Sequence, residues 1–163
     1  YNSSTFQSQY INQDKQKDHG FELEASYKIT RTTTLKAFYT YTTGKITTRQ
    51  AGKDTTYNNL LRRPKSSIGI NLASQVCKSF FISTNLMSAG KRNDAYFDNT
   101  TFATVYTTLK SYALWDIYAE YGFAKNKLKL FTDLRNITGS KYTEISGFNT
   151  LGFNGYGGIL FSF

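Results

Sequence analysis

The sequence is dominated by a two-residue alternation of apolar and polar side chains, which repeats in seven segments. In one of them the apolar series is Phe21, Leu23, Ala25 and Tyr27, and Glu22, Glu24 and Ser26 fill the positions between. Successive side chains of a β-strand point to opposite faces of a sheet, so each segment is predicted to be a strand with one apolar and one polar face. The other segments lie near residues 34–41, 66–72, 80–86, 112–121, 128–135 and 153–163. The pattern therefore predicts an all-β fold.

Composition agrees with an extended chain. Of 163 residues, 17% are aromatic and only one is proline; aromatic and threonine side chains favour strands, and proline interrupts them. No run of about 18 apolar residues is present, so a transmembrane helix is not predicted. The net charge is +9, but the lysines and arginines are scattered through turns and loops, so we expect no nucleic-acid partner.

Residues that support catalysis or metal binding are scarce. The sequence has one histidine, His19, and one cysteine, Cys77, so it offers no His-paired metal site, no Ser-His-Asp triad and no intrachain disulfide. Asp116 and Glu120 are spaced like a carboxylate pair, but the alternation places them on the polar face of one strand, where polar residues are expected anyway. We therefore expect no enzymatic activity, no resident metal and no cofactor.

The predicted connections between strands alternate in length. Long connections fall near residues 10–18, 44–61, 89–108 and 138–151, and short ones near 28–33, 74–79 and 122–127. Transmembrane β-barrels combine long extracellular loops with short periplasmic turns. The alternation predicts an antiparallel transmembrane β-barrel segment of about seven to eight strands, part of a larger up-and-down barrel. The eighth strand would be represented by an extended fragment at residues 5–10.

The polar faces favour a barrel over a dry sandwich. Charged and amide side chains at mid-strand need water on their side of the sheet, which a barrel lumen provides. These side chains are Glu22, Glu24, Lys36, Asn71, Asp116, Glu120, Lys129, Asp133 and Arg135. The apolar faces would then contact outer-membrane lipid, and the aromatic girdles at the two interfaces would include Tyr27, Tyr41, Trp115 and Tyr121.

Two of the long connections carry aromatic side chains that are candidates for ligand contact, because aromatics supply rigid contact area in binding loops. These candidates are Tyr96, Phe97, Phe102, Tyr142 and Phe148. Ordinary packing of loops and girdles is the alternative explanation. The segment 93–99 also has closely spaced oxygen ligands, but it lacks the pattern of an EF-hand, so a solvated loop is favoured over a calcium site.

The final predicted strand is apolar on one face and ends on an aromatic side chain. This arrangement resembles the C-terminal strand that the barrel-assembly machinery of outer membranes reads. The resemblance assigns that signal to Tyr156, Ile159, Phe161 and Phe163. An exposed edge strand has unpaired backbone groups, so recognition by strand addition is physically reasonable.

Several local motifs resemble TonB-dependent outer-membrane receptors. In the last third these motifs are Leu114-Trp115-Asp116, the run from Leu134 to Tyr142, the run from Gly147 to Phe153, and terminal Phe163. Asn136, Ile137 and Tyr142 stand where that family has an Asn-hydrophobic step and a following Tyr. Two earlier motifs are also similar to that family. The run His19 through Glu24 is similar to its Gly-hydrophobic-Glu strand, and Arg62-Arg63-Pro64 is similar to its basic-Pro loop exit. The layout is most similar to cobalamin receptors.

The resemblance implies a role in nutrient uptake. Residues 1–163 would be the C-terminal portion of a receptor barrel of about 22 strands, without the N-terminal plug domain. The whole receptor would lie in the outer membrane of a Gram-negative bacterium. There it would import a small-molecule nutrient complex, of the cobalamin or iron-siderophore class, and contact TonB through the missing N-terminal part.

Two other interpretations remain open at this point. One is a complete small eight-stranded outer-membrane barrel with a structural or adhesion role, whose interior is filled by side chains. The other is a soluble β-sandwich binding module. If the chain is a barrel fragment, its two exposed strand edges predict edge-to-edge self-association of the isolated chain.

Overall fold

A computed structural model describes residues 15–50, 53–58 and 60–162, so the predicted fragment at residues 5–10 and the aromatic Phe163 lie outside it. The described residues form ten β-strands. Their bounds are β1 Lys15–Lys28, β2 Thr33–Gln50, β3 Lys53–Asn58, β4 Ser66–Cys77, β5 Phe80–Ala89, β6 Arg92–Asp98, β7 Ala103–Leu109, β8 Tyr112–Phe123, β9 Leu128–Arg135 and β10 Asn154–Phe161. No helix in this part of the chain is long and apolar enough to cross a membrane.

Seven strands form one antiparallel sheet in the order β1-β2-β4-β5-β8-β9-β10. Each strand pairs with its neighbour in this path, and β3 adds to the outer part of β2 as a short hairpin. Strands β6 and β7 form a separate two-stranded ribbon. Over the described residues β1 and β10 are the two edges and do not pair with each other, so the sheet is an open wall. The predicted all-β, antiparallel, up-and-down architecture is confirmed.

The alternation of connection lengths is also confirmed. Short turns at residues 29–32, 78–79 and 124–127 lie at one end of the sheet. At the opposite end lie the long connections at residues 51–65, 90–111 and 136–153, which we call loops A, B and C. Loop A contains β3, and loop B contains the β6–β7 ribbon.

Several predicted boundaries are wrong, and always because strands run further than their apolar pattern. Strand β1 already begins at Lys15, inside the connection predicted at 10–18, and β2 continues to Gln50, inside the one predicted at 44–61. The turn predicted near 74–79 is shorter, because β4 continues to Cys77 with an irregularity in register after Gln75. Backbone pairing alone extends these polar ends, so they show no apolar alternation.

The register places the two kinds of side chain on separate faces. On the apolar face Leu86 lies opposite Trp115, and Tyr121 lies opposite Leu130. On the polar face, charged and amide side chains form a row across four strands, from Lys36 through Asn71 and Asn85 to Asp116. Each predicted face is therefore continuous across the sheet.

The apolar face has no protein layer against it. Among the described residues only Ala89 and Leu109 are buried hydrophobic side chains, whereas Leu23 is 62% exposed and Ile159 67% exposed. A water-exposed surface of this size is unfavourable, and lipid removes that cost for a membrane barrel. Of the predicted girdle aromatics, Tyr27 and Tyr121 lie near the short turns, and Tyr41 and Trp115 lie nearer the long loops.

Two glycines on the polar face are covered by aromatic rings from neighbouring strands. The ring of Phe38 on β2 occupies the place that a side chain at Gly69 on β4 would take. The ring of Phe131 on β9 covers Gly158 on β10 in the same way, 2.6 Å from the Cβ position. An aromatic ring over a glycine restores the packing that the missing side chain forfeits.

Candidate functional site

The buried side chains gather at the long-loop end of the sheet, in a region that we call the loop base. Among the described residues, the buried side chains other than glycine are Ala89, Arg92, Asp94, Leu109 and Asn136. They lie in loops B and C or at the last residue of β5. The sheet thus has an ordered polar structure at one end, where binding loops are expected to be held by a rigid scaffold.

Asp94 is the centre of the loop base and is completely buried, with 0% exposure. Its Oδ1 accepts hydrogen bonds from Arg62 Nε at 2.7 Å and from the backbone N–H of Ala95 at 2.8 Å. Its Oδ2 accepts one from the backbone N–H of Ser146 at 2.7 Å. Arg62 belongs to loop A, Asp94 to loop B and Ser146 to loop C, so one carboxylate joins all three loops.

The surroundings of Asp94 keep it ionised. Burial by itself would raise the pKa of its carboxyl group, but the hydrogen bonds from Ser146, Arg62 and Ala95 favour the anion and lower the pKa to about 2. At neutral pH a carboxylate therefore faces the donors of all three loops.

Loop A is attached to its neighbours by consecutive residues. Leu61 forms a parallel bridge with Asn93, and the N–H of Arg62 donates to the carbonyl oxygen of Asn93 at 2.6 Å. Arg63 pairs instead with Asp18 of β1 at 3.1 Å. Arg62 has a φ of 62°, in the left-handed region that non-glycine residues rarely adopt. Its contacts thus hold a strained backbone, which is typical of functional segments.

Arg92 joins loop B to loop C. Its side chain is buried and donates from Nη2 to the carbonyl oxygen of Thr143 at 2.7 Å and from Nη1 to that of Gly90 at 3.1 Å. The guanidinium lies 4.8 Å from the ring centroid of Tyr112. Tyr142 packs against Tyr112, with 4.5 Å between the two ring centroids. Cation–π and aromatic contacts of this kind add to the hydrogen bonds.

Glu144 completes this aromatic group. Its Oε1 accepts a hydrogen bond from the hydroxyl of Tyr112 at 2.8 Å. Burial and the negative charge of Glu144 raise the pKa of the Tyr142 hydroxyl above its ordinary value. The carbonyl of Tyr142 accepts from the hydroxyl of Thr150 at 2.5 Å, which folds loop C back on itself.

Asn136 fixes the point where loop C leaves β9. It is buried and has a φ of 50°, a left-handed conformation that asparagine tolerates better than most residues. Its backbone N–H donates to Oδ1 of Asp116 at 2.8 Å. Its side chain bonds both the N–H and the C=O of Ser140, each at 2.9 Å. Ile137 continues the anchor by donating to the carbonyl of Trp115 at 2.8 Å.

The tip of the β6–β7 ribbon is aromatic and exposed. Phe97 and Phe102 contact each other edge to face with 6.4 Å between ring centroids, and Phe102 is 78% exposed. Asp98 caps the turn by accepting from the N–H of Thr100 and the hydroxyl of Thr101, both at 2.9 Å. We call this end of the ribbon the aromatic tip.

The structure divides the predicted ligand-contact residues between two places. Tyr96, Phe97 and Phe102 belong to the aromatic tip, and Phe148 is exposed on loop C. Tyr142 lies lower, stacked on Tyr112 in the loop base. No finding tests ligand contact itself, so the assignment of these five residues stays a prediction.

The oxygen atoms that suggested a calcium alternative are engaged within the protein. The carboxylate of Asp94 accepts hydrogen bonds from Arg62, Ala95 and Ser146. The carboxylate of Asp98 caps its own turn. Hydrogen bonds from Thr100 and Thr101 lower the pKa of Asp98. In the part of the chain that the structure describes, no three His, Cys, Asp or Glu side chains are grouped so that they would hold a metal.

Sequence reasoning missed Arg62, Arg92 and Asp94 as the residues that organise the loops. Their partners are distant in the chain: 32 residues separate Arg62 from Asp94, and 52 separate Asp94 from Ser146. Isolated charges in polar loops look like solvated residues, so no local pattern reveals these contacts. The motif match at Arg62 and Asn136 marked two of the positions, but it gave no physical role for either.

The polar face of the sheet carries a second cluster between β8 and β9. Glu120 pairs with Lys129 at 2.9 Å and accepts a hydrogen bond from the hydroxyl of Tyr118 at 3.0 Å. Asp133 pairs with Arg135 at 2.8 Å. An open groove of about 280 Å³ is lined by Ser83, Asn85, Asp116, Tyr118, Asp133 and Arg135. These groups are suited to face water, as predicted for a lumen wall.

The closing strand β10 holds three of the predicted assembly-signal residues. Ile159 and Phe161 are exposed on the apolar face, opposite Leu130 and Leu128. Tyr156 is on the polar face, where the guanidinium of Arg135 lies 5.3 Å from its ring centroid. Phe163, the fourth, is outside the described residues. Their role as an assembly signal stays a prediction.

Comparison with known proteins gives one family and a set of structural neighbours. The sequence matches the family model "TonB dependent receptor-like, beta-barrel" over residues 1–137. No curated protein matches it in sequence. The solved structure of the FpvAI–pyocin S2 complex superimposes with a TM-score of 0.71 at 17% identity, covering 88% of this chain and 20% of that one.

Two further neighbours are a pyoverdine outer-membrane receptor and an iron transporter. The pyoverdine receptor FpvA from Pseudomonas aeruginosa PAO1, bound to pyoverdine, has a TM-score of 0.68 at 16% identity and covers 91% of this chain and 22% of that one. The FrpB iron transporter from Neisseria meningitidis has a TM-score of 0.65 at 17% identity, with 88% and 23% covered. The chain spans about a fifth of the length of these neighbours, and at such identity the likeness establishes the shared fold.

Proposed function

This chain belongs to the TonB-dependent receptor-like β-barrel family, and on that premise we propose that it forms part of the wall and the outer loops of an outer-membrane receptor in a Gram-negative bacterium. The observation that carries the proposal is the geometry of the sheet. It has one lipid-type face, one polar face, short turns at one end and three mutually bonded loops at the other. A wall of this kind separates lipid from a watery lumen and holds binding loops outside the cell.

The receptor's cargo is a nutrient complex, and an iron–siderophore complex is the leading class. Two neighbours support this class, because one is a receptor bound to pyoverdine and another is an iron transporter. The resemblance to cobalamin receptors rests on the Leu114-Trp115-Asp116 strand and the final loop, and cobalamin is the second class. The aromatic tip and Phe148 offer flat apolar surface to either.

The partners follow from this role. Residues 1–163 supply the C-terminal portion of the barrel, the apolar face contacts lipid, and TonB acts through the N-terminal part of the receptor. The barrel-assembly machinery reads Tyr156, Ile159, Phe161 and Phe163. In the absence of the remaining strands, β1 and β10, which end the sheet over the described residues, pair edge to edge with those of a second copy.

Uptake by intact cells tests the proposal. Cells that carry the receptor gene are supplied with ferric pyoverdine, other ferric siderophores and cyanocobalamin in turn, with and without TonB. We expect saturable uptake of one of these compounds that is lost when TonB is deleted. Equal uptake in the TonB deletion, or no uptake of any compound that depends on the receptor gene, contradicts the proposal.

A variant of the aromatic tip tests the binding surface. We expect Phe102→Ala to raise the half-saturation concentration for uptake by about threefold to tenfold, because it removes an exposed ring from the tip. Ile29→Ala is the control, since Ile29 is also an exposed apolar residue but lies in a short turn at the opposite end. If the two substitutions change the half-saturation concentration equally, the aromatic tip is not part of the binding surface.

The second candidate is a small complete barrel with a structural or adhesion role. It requires the sheet edges to meet, and over the described residues β1 and β10 are not paired. Gel filtration and mass measurement of the protein extracted from its native membrane distinguish the two candidates. A receptor gives a polypeptide several times larger than 18.5 kDa, and a small barrel gives one close to that mass.

A further inference from the structure

We propose that Asp94 is a positioning residue that holds loops A, B and C in one arrangement, so that the aromatic tip and Phe148 meet the ligand as a single preformed surface. This inference rests on the proposed function, because it concerns the same binding surface. Asp94 does not touch the ligand in this arrangement, since it is fully buried beneath the loops.

The first step of the argument is the number of donors that share one carboxylate. Arg62 of loop A, the amide of Ala95 in loop B and the amide of Ser146 in loop C all donate to it, at 2.7, 2.8 and 2.7 Å. A neutral residue of the same shape cannot accept all three, because an amide side chain has only one acceptor oxygen. Loss of the carboxylate leaves a buried N–H without a partner, which is costly.

The second step is where these contacts lie relative to the predicted ligand-contact residues. Asp94 precedes Tyr96 and Phe97 on the same strand, so its position sets the base of the aromatic tip. Ser146 lies two residues before the exposed Phe148. The two carboxylate oxygens of Asp94 therefore hold the base of the aromatic tip and the segment of loop C next to Phe148.

The third step is a set of independent contacts between the same loops. The guanidinium of Arg92 bonds the carbonyl of Thr143, which ties loop B to loop C a second time. Leu61 and Asn93 form a backbone bridge, which ties loop A to loop B a second time. Contacts that restrict the same motion support one another, so the loops are expected to open together.

Preformed loops bind more tightly than independent ones. If the binding arrangement is only a fraction of the population, the apparent dissociation constant rises by the inverse of that fraction. We therefore expect Asp94→Asn to raise the half-saturation concentration for uptake about tenfold, through a binding-competent fraction of about one tenth. The maximum rate should stay unchanged, since translocation takes place in the barrel below.

Spin labels in the complete receptor measure the arrangement directly. The labels are placed at the exposed positions Asn99→Cys in loop B and Asn149→Cys in loop C, in a Cys77→Ser background. We expect one narrow distance distribution in the parent and a distribution at least twofold broader with Asp94→Asn. Glu120→Gln is the matched control, because the Glu120 carboxylate is bonded by Lys129 and Tyr118 in the wall, away from both labelled loops, and it should leave the width unchanged.

A second variant, measured by hydrogen exchange, tests the inference even if Asp94→Asn does not fold. Arg62→Gln removes one donor to Asp94 from a half-exposed side chain of loop A, whereas Ser146 belongs to loop C. We expect it to speed exchange of the Ser146 amide at least fivefold, because the loops open together. An unchanged rate, or equal label widths in Asp94→Asn and the parent, overturns the inference. If no compound in the uptake panel is transported, the proposed function fails, but the widths and exchange rates still decide whether Asp94 couples the loops.

Discussion

The anchor of loop C at Asn136 gives the sharpest prediction of stability. Asn136→Ala removes the two 2.9 Å hydrogen bonds to the backbone of Ser140, at about 1 kcal/mol each. It also places alanine at a φ of 50°, where the left-handed conformation costs about 1 kcal/mol more than for asparagine. The free energy of opening this turn should therefore fall by about 3 kcal/mol.

Amide hydrogen exchange in the complete receptor measures that free energy locally. The reporters are the amides of Ile137 and Gly139, which donate to the carbonyls of Trp115 and Asn136, each at 2.8 Å. The substitution removes neither of these bonds, so faster exchange at both reports opening of the turn. A loss of about 3 kcal/mol corresponds to exchange that is faster by roughly 100-fold.

Ser140→Ala is the matched control for Asn136→Ala. It keeps the backbone groups that Asn136 bonds and removes only an exposed hydroxyl that contacts Thr138, so exchange should stay within about threefold of the parent. An Asn136→Ala receptor with exchange this close to the parent would refute the reasoning. So would a Ser140→Ala effect as large as that of Asn136→Ala.

Three further predictions concern other parts of the chain. The pKa of Asp94 lies at about 2, below the ordinary 3.8, so its stabilisation of the loops is present above about pH 4 and is lost as the pH falls through 2. Spin-label distance distributions that already broaden near pH 6 would contradict this. Glu120→Gln and Lys129→Ala should show a coupling free energy of about 0.5–1 kcal/mol in a double-mutant cycle of urea unfolding, because both groups are partly exposed. Zero coupling would mean that this ion pair does not contribute to the free energy of unfolding. Gly158→Ala should cost about 1–2 kcal/mol because its Cβ meets the Phe131 ring, and the same unfolding assay should find a smaller cost in a Phe131→Ala background; equal costs would exclude the clash.

The sequence is most informative where a strand has two different surroundings. Leu86 lies opposite Trp115 and Asn85 lies opposite Asp116, as the two-residue period predicts, because one face meets lipid and the other meets water. A shift of one residue would exchange the faces, so the period fixes register and not only strand identity. The alternation of short turns and long loops was readable for the same reason, since the polar segments interrupt the period.

The period is silent where both faces of a strand meet water. Beyond Tyr41, β2 continues through Thr42–Gln50 in a run rich in threonine, and the β6–β7 ribbon lies within a predicted connection except for its last residue, Leu109. Backbone hydrogen bonds are sufficient to form these strands, and they leave no pattern in the side chains. The same limit hides Asp94, because its role depends on a meeting of loops A, B and C that no local window contains.

The long β2 strand has a mechanical consequence. It pairs with β4 only as far as Tyr41, and the remaining stretch, Thr42–Gln50, extends roughly 30 Å past that point. This stretch is held instead by backbone pairing with β1 as far as Thr47 and with β3 over Lys45–Gln50, and the hydroxyls of Thr47 and Thr56 are 3.1 Å apart. A load at the far end is therefore carried first by the pairs with β3 and β1, and it reaches the β2–β4 pairs of the wall last. The same geometry lets the far end accept inserted residues without displacing the pairs between β2 and β4.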